Sequence, residues 1–191
     1  MVIKRIEFTD DTLETALIIG HFLDLITTGK LEENLGRSTH LEKEFGNAPD
    51  SEYNTAMLYD LCNFLIKYDC LKEISILLQH ISCRVMKNQI EFLPGFLLAA
   101  ISDQPAECVA FLKAHAERPH VWQDHVRDHR TKHDVSGRDL LDPRAMPFAF
   151  YRRIPTDYLW ALTMAWDIHA QDETREVAEE FGNLIKLLKS E

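Results

Sequence analysis

The sequence predicts an all-α fold, mainly helical, with one short N-terminal strand. Three observations carry that prediction. Apolar residues recur at three- and four-residue spacing through most of the 191 positions. Period-two alternation is convincing only once, at residues 2–8. Gly29, Pro94, Pro105 and Pro155 stand where helices end or begin.

In residues 2–8, Val2, Lys4, Ile6 and Phe8 share one side and Ile3, Arg5 and Glu7 the other. Asp11 followed by Glu14 has capping-box spacing, which satisfies free N–H groups at a helix start. The helix it opens, about 12–28, is apolar nearly all round. Its polar stripe is narrow (Glu14, His21, Asp24, Thr28), which predicts deep burial. Gly29 supplies a left-handed residue to end it. Residues 30–53 are charged and punctuated by Gly36, Gly46, Asn47 and Pro49, the pattern of an exposed, mobile insertion.

Helical spacing returns at 54–69, with Met57, Leu58, Leu61, Cys62, Leu65 and Tyr68, and again at 71–86. The connection at Asp69-Cys70 is short enough to predict an antiparallel hairpin. Pro94 and Pro105 predict helix starts for 94–102 and 104–115. A polar, histidine-rich segment follows over 115–142, then a proline-punctuated stretch anchored by Met146, Phe148, Phe150 and Tyr151. Pro155 opens a helix through about 169, and the last helix runs about 173–189. No 33- to 47-residue repeat is visible in the residue identities.

Composition narrows the class. With 46% apolar and 27% charged residues the chain is globular, and it is long enough to bury roughly two-thirds of its unfolded surface. A net charge of −10 opposes phosphate backbones and acidic lipid surfaces. The longest apolar run, Ala16 to Ile26, is broken by His21 and Asp24, and no membrane span is expected. The start, Met1-Val2-Ile3-Lys4-Arg5, lacks the apolar core of a signal peptide. Cys62, Cys70, Cys83 and Cys108 form no C-x-x-C pair, and Cys62 and Cys83 sit in apolar helical patterns as small hydrophobes. An intracellular protein, cytoplasmic or nuclear, with reduced thiols is the expectation.

Residues 2–85 resemble the C-terminal half of a BTB/POZ domain. Leu25-Ile26-Thr27-Thr28-Gly29-Lys30-Leu31 matches the close of a helix in that family, except that Thr27 replaces its usual tyrosine. Leu61-Cys62-Asn63-Phe64-Leu65-Ile66-Lys67-Tyr68-Asp69-Cys70 matches the family's leucine-rich helix and its lysine-tyrosine-aspartate turn. Ile154-Pro155-Thr156-Asp157-Tyr158-Leu159-Trp160-Ala161-Leu162 is similar to a stretch in the helical tail of fungal BTB-like proteins. The resemblance implies a partial BTB-like unit at 1–86, followed by a helical region at 87–191. It also implies protein–protein recognition, through dimerisation or a cullin scaffold. The family's early strands, dimer-forming first helix and alanine-histidine-lysine segment have no counterpart here.

One segment carries residues for chemistry. His115, His120, His125, His129 and His133 lie close together. On a helix, His125 and His129 share a face as paired zinc or copper ligands do, and His133 drifts about 40° further round. Asp124 and Asp128 are available to orient imidazoles. Against this, residues 123–139 carry only Val126 and Val135 as large aliphatics, the composition of a solvated loop. Val126 also stands where the metalloprotease pattern needs glutamate. There is no phosphate-binding glycine loop and no G-x-S-x-G elbow. Arg127, Arg130, Lys132 and Arg138 are largely cancelled by Asp128, Asp134 and Asp139, so no nucleic acid is expected.

The sequence therefore points to a noncatalytic protein-interaction or scaffolding module with no cofactor and no membrane attachment. Its partner is a protein or a second copy of the chain, with Phe22, Leu25, Ile26 and Trp160 as candidate contact residues. Trp160 lies roughly 200° around its helix from Tyr158, off the face that Tyr158 and Trp166 share. The alternative is a metal-binding protein or metal-dependent enzyme using His125, His129 and His133 within segment 115–133.

Overall fold

The computed structural model describes residues 10–11, 13–31, 55–87, 90, 92–117, 139–169 and 174–190. The expected strand at 2–8, nearly all of the insertion at 30–53, and the histidines at 120, 125, 129 and 133 lie outside them. Eight helices occur among the described residues, with Asp139 as the single β-bridge residue, so the fold is all-α. No helix among them is long and apolar enough to cross a membrane. The chain divides into two units, 1–80 and 81–191.

The first unit opens on α1, Ala16–Thr28. It starts four residues later than the spacing of Asp11 and Glu14 suggests, because two caps act in series. Asp10, rather than Asp11, accepts from the Leu13 N–H at 3.1 Å, and Glu14 reaches back to the Asp10 N–H at 2.7 Å. Thr15 then takes an extended conformation and caps α1, its hydroxyl accepting from the Ile18 N–H at 3.3 Å. Gly29 ends the helix at φ 65°, donating to the Leu25 carbonyl at 3.0 Å. The His80 Nε2–H donates to the Gly29 carbonyl at 2.8 Å and fixes that end.

Gly29→Val is expected to cost about 1–2 kcal/mol, since a β-branched L-residue is strained at this φ even though its Cβ would meet open space. Urea unfolding measures it. Unchanged stability would show that the glycine conformation is dispensable.

α1 is not buried all round. Only Ile18, His21 and Leu25 are buried, while Leu17, Leu23 and Ile26 remain exposed. His21, placed by the sequence on the polar stripe, faces inward at 4% exposure. α2, Thr55–Lys67, packs on α1 and supplies most of this unit's core through Met57, Leu58, Leu61, Cys62, Phe64 and Leu65. A turn, 68–70, leads into α3, Leu71–Met86.

The second unit is built on α4, Phe92–Ile101, α5, Pro105–Glu117, and two later helices. α4 starts two residues before Pro94, which sits in the first turn, where a missing N–H breaks no helical bond. Pro105 opens α5 as the sequence indicates. The one-turn α6, Phe148–Tyr151, leads to α7, Thr156–Ile168, and α8, Thr174–Lys189. α4 packs on α5, and α8 packs on both α5 and α7. Phe181 of α8 meets Phe96 of α4 edge-on at 5.6 Å and lies 6.2 Å from Tyr158 of α7.

The two helix pairs share a plan that residue identities conceal. α2 ends at Lys67 and α4 at Ile101, while α3 begins at Leu71 and α5 at Pro105. Each pair is thus offset by 34 residues. Asp69 and Asp103 both adopt the left-handed region at φ 54°. In each turn the N–H after the aspartate donates back five residues, Cys70 to Leu65 and Gln104 to Ala99, both at 2.9 Å. Burial repeats at the same offset, with Ile74, Leu77, Leu78 and Ile81 matching Cys108, Phe111, Leu112 and His115. Aspartate tolerates the left-handed region better than most L-residues, which explains its recurrence.

Candidate functional site

Besides the Arg144 pairs with Asp142 and Asp167 and the His169–Glu176 pair, three groups of titratable side chains among the described residues each bind the protein to itself. The first joins the turn before α1 to the end of α2. Glu14 accepts from Lys67 Nζ at 2.6 Å and from the Tyr68 hydroxyl, while Asp10 lies 3.4 Å from the same ammonium. Burial pushes the Glu14 carboxyl upward, but hydrogen bonds from Lys67, Tyr68 and the Asp10 N–H outweigh it and bring it to about 2. The bond to Glu14 raises both Lys67 and Tyr68. Glu14, Lys67 and Tyr68 are all moved away from neutrality, where a general acid or base needs to be poised.

A pH dependence follows. Glu14 falls from its ordinary 4.5 to about 2 on folding, so its contribution is complete above 4.5 and is lost as pH drops through 2. The stability difference between the wild type and Glu14→Gln is expected to be largest near neutrality and to shrink between pH 4.5 and 2. Denaturant titrations across that window test it. A difference independent of pH would remove the assignment.

The second cluster joins three elements of the second unit. The Asp103 carboxylate accepts from the Tyr158 hydroxyl at 2.8 Å and from Lys189 Nζ at 2.5 Å. Lys189 also pairs with Asp157 at 3.2 Å and lies 5.3 Å from the Tyr158 ring centre. Burial and the bond to Asp103 push the Tyr158 hydroxyl far above its ordinary range. Lys189 and Tyr158 hold Asp103 below the usual carboxylate range. Asp103, Tyr158 and Lys189 all shift away from neutrality, so the cluster clamps α7 and α8 to the α4–α5 turn.

His115 and Asp139 form the third. The His115 Nε2–H faces both Asp139 carboxylate oxygens at 2.8 Å, and Asp139 also accepts from the Leu141 N–H at 2.8 Å. A carboxylate behind an imidazole is the arrangement that orients a catalytic base. Here the ring is fully buried and stands edge-on to Phe92 at 5.1 Å, so no substrate reaches it.

The four cysteines are free thiols. Cys62 and Cys108 are core residues, but Cys83 is exposed, unlike the small core hydrophobe its sequence setting suggests. Burial raises Cys70 and Cys108, the direction opposite to that of an activated nucleophile. Among the described residues no group of three or more His, Cys, Asp or Glu is placed to hold a metal ion. His125, His129 and His133 are outside those residues.

The candidate contact residues separate. Leu25 belongs to the core at 1% exposure, so it cannot share an open surface with Ile26, which is 45% exposed. One residue is about 100° of helix, enough to carry a side chain from the inner face to the outer. Phe22 is half-buried against Phe64, with ring centres 5.3 Å apart. Leu23, which the sequence reading passed over, is 49% exposed and belongs with Ile26. Spacing relative to the inward residues Ile18 and Leu25 was the signal for it. Trp160 is 44% exposed, while Tyr158 and Trp166 are buried as their shared face requires. No protein-family model, curated protein or solved structure matches the chain.

Proposed function

We propose that the chain is a noncatalytic protein-interaction module, of the adaptor kind that its resemblance to BTB-like proteins implies. One observation carries the reading, the outward face of α1. Leu23 and Ile26 are nearly half exposed on a helix whose only ionisable side chains are His21 and Asp24. Burying an exposed aliphatic side chain is worth about 1.5–3 kcal/mol, so a pair of them supplies a real driving force for contact. The three clusters add support, because each is committed to holding its own unit together.

Sedimentation equilibrium at micromolar concentration, with a hydrophobic-dye assay, tests the proposal. Self-association, or a monomer that binds dye, is expected, and Leu23→Glu with Ile26→Glu should abolish either behaviour without loss of helicity. A compact monomer that binds no dye would remove the reading.

A further inference from the structure

We propose that the turn between α2 and α3 is a docking point for a partner protein, engaged through a helix end that carries a lysine or arginine. The inference rests on the interaction-module reading and adds a second contact point to it. Its basis is the contrast between two turns of the same backbone. Around Asp103, itself exposed, the flanking positions are covered: Ala100 is 1% exposed and Ser102 7%. Its carboxylate is met by the Tyr158 hydroxyl and by Lys189 from the end of α8. At the same register in the first unit, Ile66 is 38% exposed, Tyr68 36% and Leu71 63%.

Asp69 is exposed and held at the same φ of 54°, yet among the described residues no donor meets its carboxylate. The nearest cation in sequence does not neutralise it, because Lys67 is committed to Glu14 at 2.6 Å and to Asp10 at 3.4 Å. A left-handed aspartate is strained relative to glycine. At Asp103 that strain accompanies two tertiary bonds, whereas at Asp69 none is found among the described residues. Charge complementarity therefore fixes the partner's polar group as a cation, with Ile66 and Leu71 as the flanking apolar contacts.

Photo-crosslinking tests the site. Benzoylphenylalanine replaces Leu71 in the full chain, and in separate preparations Ile26 or Trp160, before irradiation in a lysate of the source cells. Mass spectrometry then maps the attached segment. The expected result is one segment captured from position 71, with a lysine or arginine within a helical turn of the attachment. Asp69→Asn, which retains tolerance for positive φ, should cut its yield at least fivefold with an unchanged circular dichroism spectrum. A segment without a basic residue, or a yield indifferent to Asp69→Asn, would overturn the proposal. Capture from Ile26 or Trp160 but not from position 71 would overturn it while leaving the interaction module standing. Capture from none of the three would remove both.

Discussion

Phe181→Ala should cost about 3–5 kcal/mol, the range for truncating a buried phenylalanine, and it is the largest single effect expected in the chain. Phe181 is fully buried and brings α8 against both α4 and α7, at Phe96 and Tyr158. Removing it forfeits the transfer free energy of the ring and two aromatic contacts, each worth about 0.5–1.5 kcal/mol beyond area. It also leaves a cavity that neighbours on three helices cannot all relax to fill. Urea unfolding followed by circular dichroism gives the loss directly. Leu187→Ala on the same helix is the comparison: Leu187 is 59% exposed, and a change within about 0.5 kcal/mol is expected. Similar small losses for both variants would mean that α8 does not close this core.

His115→Ala is expected to destabilise by about 3 kcal/mol. The imidazole is fully buried, and its bond to a carboxylate group belongs to the class worth about 1.5–3 kcal/mol. Its edge contact with Phe92 and its packing supply the remainder. The sign of the effect separates two roles. An imidazole kept for ligation or catalysis is commonly held at some cost to the fold, so its removal leaves stability unchanged or raised. A structural imidazole behaves in the opposite way. Equilibrium unfolding decides, with Asp139→Asn as a partner variant that should lose less, because an amide oxygen still accepts from His115 and from the Leu141 N–H. Unchanged or increased stability in His115→Ala would reopen the buried pair as a functional group.

Much of the helical framework was legible because it is written locally. The run from Leu71 to Met86 was delimited correctly by its apolar spacing, and Gly29 and Pro105 marked their helix limits by conformational preference alone. The start of α1 was not legible, since Asp10, Asp11 and Thr15 are all competent caps and only the folded chain shows which of them act. The site was harder to read. His115 looked like the first of a polar histidine run, yet its surroundings are set by Phe92 and by Asp139, 24 residues away. Lys189 and Asp103 are 86 residues apart, and neither carries a local signal of the other. The kinship of the two turns escaped the residue identities because it lies in backbone conformation and in which positions are covered. Ile81 and His115 occupy one register with unlike side chains.

The place of α8 in the second unit bears on when that unit can fold during synthesis. Its core is closed by Phe181 and Ile185, and its clamp by Lys189, so the layer that receives them is translated first and waits. At about 5–20 residues per second, the roughly eighty residues between Phe96 and Phe181 occupy the ribosome for about 4–16 seconds. Throughout that interval Phe96 and its neighbours on α4 lack their lid. The nascent chain is then a substrate for holding chaperones, and a ribosome stalled before codon 181 would display a sticky, half-built unit.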